Sequence, residues 1–208
     1  MKERGLICHG RSINNIIDGL KTHTRRVAKG FEAYDEIEHL IDRETGEYFW
    51  RCWTDAGPYR KYKDVTCPHG QPGDRLWIRE TWLELDSDHY VLPGKPKLLM
   101  VDCMKYPMRN GISYRAGVDA EGDEIREEYG YKWKSPLFMP KSYSRLTLEI
   151  KDVRLERVCN IRPADARKEG YEDINAFFEG WDEINAKRGY SAESNPFVWV
   201  IEFERIKD

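Results

Sequence analysis

Residues 197–203 read Phe-Val-Trp-Val-Ile-Glu-Phe, apolar at every position but Glu202. An apolar run of this length without alternation describes a strand covered on both faces, so it belongs in the interior of a sheet. Two further segments read as strands. Residues 75–82 alternate, with Leu76, Ile78, Glu80 and Trp82 on one face, directly after the turn signal Pro72-Gly73-Asp74. Residues 145–150 alternate as well, after which the apolar register slips to Val153 and Leu155. One extra residue near Lys151-Asp152 produces that slip, as in a β-bulge, which bends a strand as a small barrel requires.

Helical spacing appears around these strands. Leu6-Ile7-Cys8 is a short apolar run, followed by Ser12 as an expected N-cap and by Ile13, Ile16, Ile17 and Leu20 on one helical face. Pro163 suits the first position of a short helix ending before Gly170, and Ile174, Phe177, Phe178, Trp181 and Ile184 mark a longer one with Asp173 as cap and Gly189 as stop. Residues 30–66 and 84–132 are turn-rich without a sustained period and read as two loop-rich insertions. The first carries one strand near 48–53. The second carries turns at Pro93-Gly94 and 121–123 and a strand at 112–116. Strands and helices mix without regular alternation, so the expected fold is α+β: a small mixed β-barrel with peripheral helices, one domain over 1–208.

The chain has 208 residues, enough for a self-sufficient core, and 40% hydrophobic residues exclude a wholly disordered chain. Apolar runs such as Leu98-Leu99-Met100-Val101 fall far short of the roughly 20 residues that span a bilayer. The segment after Met1-Lys2-Glu3-Arg4 lacks the apolar stretch of a secretory signal, and five cysteines with no Cys-x-x-Cys pair read as free thiols, so a cytosolic location is expected.

Chemistry concentrates in Gly19-Leu20-Lys21-Thr22-His23-Thr24-Arg25-Arg26. Such a group of cations and hydroxyls suits a phosphate or nucleic acid, because guanidinium forks pair with phosphate oxygens. It equally suits a solvated basic loop facing a helix C-terminal dipole. Glu80 lies among apolar neighbours and needs a partner: Lys21 is one candidate, a structural ion pair with Arg79 or another arginine a second, and an edge of the sheet where Glu80 reaches water a third. Cys67-Pro68-His69, with Cys52, offers at most three soft ligands at irregular spacing, whereas zinc sites show tighter pairs, so a turn with buried thiols is the expected reading. His9, His39 and His89 have no partner pattern, and phosphate loops and dinucleotide fingerprints are absent, so no cofactor is expected. Seven tryptophans and twelve tyrosines are many; Trp133, Tyr143 and Tyr190 lie near Lys or Arg, the combination that holds single-stranded RNA. The net charge of −3 disfavours tight nonspecific duplex binding and leaves room for a local basic groove.

Several runs together resemble the ASCH-domain proteins of the PUA-like superfamily, in the form common in phages and prophages. They are 19–26, Cys67-Pro68-His69-Gly70-Gln71-Pro72-Gly73-Asp74 continuing to Trp82, Pro136-Leu137-Phe138-Met139-Pro140-Lys141, 144–150 and 195–203. The resemblance implies a small PUA-like barrel with a cleft beside the first helix that recognises RNA or a modified nucleoside, in the host cytoplasm if the chain is phage-encoded. Some such proteins hydrolyse the acetyl amide of N4-acetylcytidine with a Lys-x-x-Thr element and a Glu, and others are reported as ribonucleases. Lys21 and Thr24 match the first element, and Glu80 is the candidate carboxylate. On the enzyme reading Thr24 attacks the amide carbonyl, Lys21 takes its proton, and Glu80 orients the lysine or protonates the leaving amine. On the binding reading Arg25, Arg26, Arg79, Lys141 and Arg145 contact the anion. A noncatalytic protein-interaction role stands as a third alternative.

Overall fold

The computed structural model describes residues 1–55, 60–84, 112–117, 127, 130 and 132–206. The fold is α+β, with mostly strands and few helices. In chain order the main elements are β1 (Glu3–Ile7), α1 (Gly10–Ile17), β2 (His23–Val27), β3 (Glu36–Ile41), β4 (Tyr48–Thr54), β5 (Lys61–Val65), β6 (Arg75–Arg79), β7 (Trp82–Glu84) and β8 (Ile112–Tyr114). They are followed by β9 (Thr147–Arg157), α2 (Pro163–Lys168), α3 (Ile174–Asn185) and β10 (Phe197–Ile206).

The apolar strand at the end of the chain takes the interior place its composition demands. The large sheet runs β1-β6-β9-β10-β2, so β10 is covered by β9 on one side and β2 on the other. Val198, Trp199, Val200 and Ile201 are all buried. The order has two ends, β1 and β2, so among the described residues this is an open sheet and the expected barrel is not closed; closure needs the edge strands to pair with each other. β9 runs without interruption through the register slip. Leu148 and Ile150 are buried, then Val153, and the change of phase falls at exposed Lys151 and half-buried Asp152.

Several boundaries differ from expectation for local reasons. Helix α1 begins at Gly10 with His9 at its cap, not at Ser12, and ends before Gly19, whose φ of +76° supplies the left-handed residue that stops a helix. Pro163 opens α2 as expected. Asp173 caps α3 through a hydrogen bond from the Ala176 amide (2.9 Å). In α3, however, Ile184 is exposed, and Asn185 is buried instead, its side-chain amide donating to the Trp181 carbonyl. The expected strand over 75–82 breaks at Glu80, although Leu76, Ile78, Glu80 and Trp82 all remain buried.

The insertion at 30–66 holds a whole antiparallel sheet, β3-β4-β5, rather than one strand. Its first turn is built by Asp42, whose carboxylate accepts from the Glu44 and Thr45 amides and the Thr45 hydroxyl. Within the second insertion, β8 pairs with β7 and is followed by a short 3-10 turn at Arg115–Gly117. The turns expected at Pro93-Gly94 and 121–123 lie outside the described residues. No described helix is long and apolar enough to cross a membrane.

The chain divides into two compact units. One consists of Met1–Arg4, Gly19–Leu76 and Leu148–Ile206, the other of Gly5–Asp18 and Trp77–Thr147. The first has a core of Val158, Ile161, Phe177, Trp181, Val198 and Val200 among others; in the second, Trp82, Ile112, Tyr114 and Met139 pack together.

The turn ahead of β6 belongs to the first unit and is fastened by Asp74. Its carboxylate accepts from the Lys2 amide (2.6 Å), the Arg4 guanidinium (3.0 Å) and the Gln71 amide (3.3 Å). Burial opposes its ionisation, yet these donors together hold the Asp74 carboxyl below the usual range. Gly70 in this turn has φ +128°, and a Cβ there would lie 2.8 Å from Ile150 Cδ1. Gly70→Ala is therefore expected to lose about 1–3 kcal/mol from backbone strain alone, more with the steric overlap. Urea unfolding measures this, and an unchanged midpoint would contradict it.

Candidate functional site

Lys21 stands just ahead of β2, and the strand carries His23, Thr24 and Arg25; all four side chains are buried. β2 is pinned by its register to β10, with Thr24 opposite Ile201 and Arg25 opposite Val200. Pairing continues one residue beyond, where the Phe203 amide donates to the Thr22 carbonyl. Alternation then sets His23 and Arg25 on one face of the strand and Thr24 with Arg26 on the other.

The partner of Lys21 is Glu169. The lysine ammonium donates to Glu169 Oε2 at 2.6 Å and to the Glu169 carbonyl at 2.9 Å, and both side chains are only 4% exposed. Arg25 donates to the other carboxylate oxygen, Oε1, at 3.2 Å, and lies 3.5 Å from Glu156 and 3.7 Å from Asp165. One carboxylate therefore bridges two buried cations. His23 faces Glu202 across the strand pair (Nε2 to Oε2, 3.2 Å), and its Nδ1 lies 3.0 Å from the Thr22 hydroxyl. Desolvation lowers the His23 pKa despite the raising effect of Glu202, so the ring is neutral at pH 7. A neutral ring with its proton on Nε2 satisfies both neighbours.

Glu80 belongs to the second unit and has a different partner. Between β6 and β7 its two carboxylate oxygens accept from Arg145 Nε (2.9 Å) and Nη2 (2.8 Å), a bidentate fork. The guanidinium carbon of Arg145 lies 4.2 Å from the centre of the Tyr114 ring. Burial pushes the Glu80 carboxyl above its ordinary range, and Arg145 pulls against that shift. The need for a cation at Glu80 is thus met by an arginine in a structural ion pair, as the alternative expectation had it, but by Arg145 rather than Arg79, and not by Lys21.

The remaining cations are dispersed. Arg26 is half-buried on the face of Thr24, opposite Trp199. Arg79 lies over the Trp77 ring and donates to the Leu137 carbonyl. Lys141 is exposed in a 3-10 turn, Lys141–Tyr143. Of the expected cation–aromatic neighbours, Lys29 approaches Tyr190 at 5.9 Å and Arg115 approaches Trp133 at 5.9 Å.

Cys52 and Cys67 are both buried. Burial raises the Cys67 thiol to about 11 and lowers His69 to about 4, so the thiol is protonated and the ring neutral at pH 7. Among the described residues no group of three His, Cys, Asp or Glu side chains could hold a metal ion.

Glu169 and Arg145 are the partners of Lys21 and Glu80 that sequence reasoning did not name. Glu169 had a readable signal: it sits at the C-terminus of α2, where a negative charge opposes the helix dipole and calls for compensating cations. Arg145 appeared only as an anion contact, with nothing local linking it to Glu80.

Comparison with protein-family models, with curated proteins and with solved structures finds no match.

Proposed function

We propose that this chain binds RNA or a modified nucleoside at the segment that opens β2, in keeping with its resemblance to ASCH-domain proteins and their PUA-like fold. The observation that carries this reading is the buried Lys21–Glu169–Arg25 cluster. Removing such charges from water costs more than apolar packing of the same volume, and clusters of buried ionisable groups are concentrated where proteins meet ligands. The exposed Lys168, next to Glu169 in the chain, adds a cationic donor of the kind that phosphates attract.

Amide hydrolysis is the second reading, and the Lys21–Glu169 contact at 2.6 Å favours it, with Glu169 in the place the sequence reading reserved for Glu80. In that chemistry the Thr24 hydroxyl adds to the acyl carbon, its proton passes to the Glu169 carboxylate, the base of a pair whose Lys21 is already an ammonium, and the amine departs with that proton. Water then frees the acid from the threonine ester. Thr24 and Arg25 lie on opposite faces of β2, which is why binding stands first and hydrolysis second.

Both are tested by titrating the purified chain with cytidine, N4-acetylcytidine and a short single-stranded RNA, with heat and product formation followed together. Salt-dependent binding without product supports recognition, and release of acetate from N4-acetylcytidine supports hydrolysis. Absence of binding to all three at low salt would overturn both.

A further inference from the structure

The first unit contains a pocket of about 380 Å³ that no member of the Lys21–Glu169–Arg25 cluster lines. Its walls come from β3 and β4 (Ile37, His39, Trp50), from the end of β9 (Leu155, Arg157) and from Phe197 at the start of β10, with Tyr34 and Asp35 beside them. The volume falls within the range of small-molecule sites, and the accessible lining is mostly polar.

The aromatic walls are held in position. His39 and Trp50 are cross-strand partners, and their rings stack with centroids 4.8 Å apart and planes 16° apart. Trp50 is fixed from behind by the edge-on contact with Trp199 at 4.6 Å, and Phe197 by Phe31 at 5.9 Å. The Arg157 guanidinium lies 3.6 Å from the centre of the Phe197 ring and donates to the Asn195 carbonyl at 3.0 Å, which sets its plane. Asp35 is tied to the chain by the Asp55 amide, which donates to its Oδ2 at 2.8 Å.

We infer that this pocket receives the base of a nucleotide, and that the base is one bearing an exocyclic amine. Trp50 is buried beneath the exposed His39 ring and fixes it in place, so His39 offers a planar π system a stacking partner that needs little further ordering. The two charged lining residues are of opposite kind: Arg157 offers N–H donors to ring nitrogens and carbonyl oxygens, and Asp35 offers acceptors to an amino group. Guanine, cytosine and adenine carry both features, whereas uracil has no exocyclic amine. The pocket deepens the proposed reading, on which it rests, by giving the bound RNA or nucleotide a base-selective contact apart from the β2 cluster.

The test uses the full chain with GMP, CMP, AMP and UMP, followed by tryptophan emission and calorimetry, in four forms: unaltered, His39→Ala, Asp35→Asn, and the double exchange Lys21→Met with Glu169→Leu. His39 and Asp35 are exposed, so their replacement leaves the core intact. The expected result is weaker binding of the amino-bearing nucleotides by about fivefold or more in His39→Ala, and loss of the preference over UMP in Asp35→Asn. If nucleotides bind, and only the Lys21/Glu169 exchange weakens them, the pocket assignment is overturned while the binding reading survives. If no nucleotide binds any form, the pocket assignment is overturned, and the binding reading is decided by the RNA titration above.

Discussion

Glu169→Ala will lower the free energy of unfolding by about 3–5 kcal/mol, the loss typical of breaking a buried ion pair by removing one partner. The carboxylate is the only side chain bonded to the Lys21 ammonium among the described residues, and both groups are 4% exposed. Without it Lys21 keeps the Glu169 carbonyl alone, whereas Arg25 retains Glu156 and Asp165. The penalty therefore falls chiefly on an uncompensated ammonium. Replacing both partners, Lys21→Met with Glu169→Leu, removes the stranded charge and should recover most of the loss, since well-packed apolar residues of similar volume do not incur the desolvation cost. Urea unfolding at pH 7 measures both variants. A loss below about 1 kcal/mol, the value of a solvated pair, would show that water reaches the lysine.

Arg145→Met will lower stability by a similar amount at neutral pH, about 3–5 kcal/mol, and the deficit will shrink as the pH falls. Glu80 is 1% exposed and holds both of its oxygens on that one guanidinium. Burial already raises the carboxyl pKa above its ordinary range, and removing Arg145 takes away the hydrogen bonds and the charge that lower it. A raised folded pKa makes a contribution that is complete below the unfolded value and is lost as pH rises through the folded one. The variant should thus recover toward the unaltered chain as Glu80 takes up a proton, on approach to about pH 4. Unfolding free energies compared between those limits provide the check, and a gap constant with pH would refute a buried carboxylate as its cause.

These two residues also show where local reasoning succeeds and where it stops. That Glu80 is buried and requires a partner was legible, because it falls on the apolar face of an alternating segment, whereas the segment of Lys21 read equally as a solvated basic loop. That each has its own partner was not. Lys21 meets Glu169 across 148 residues and Arg145 meets Glu80 across 65, separations at which no periodicity survives. The inserted sheet was missed for a different reason. β3 and β5 contain Glu36, Glu38, Lys61, Lys63 and Asp64, mostly exposed, so their strand character lies in pairing with β4 rather than in side-chain pattern. His39 had no partner in the sequence because its partner, Trp50, is supplied by that same pairing.

Side-chain order along the chain was sufficient to place the interior strand, the capped helix α3 and the turn before β6, since burial on one face or two leaves a period of its own. The sheet order, the open edges at β1 and β2, the bridging of Lys21 and Arg25 by Glu169, and the aromatic pocket came only from the folded chain. Charges and rings brought together from distant segments interact through space, and the chain path that brings them together is set by the packing of the entire core.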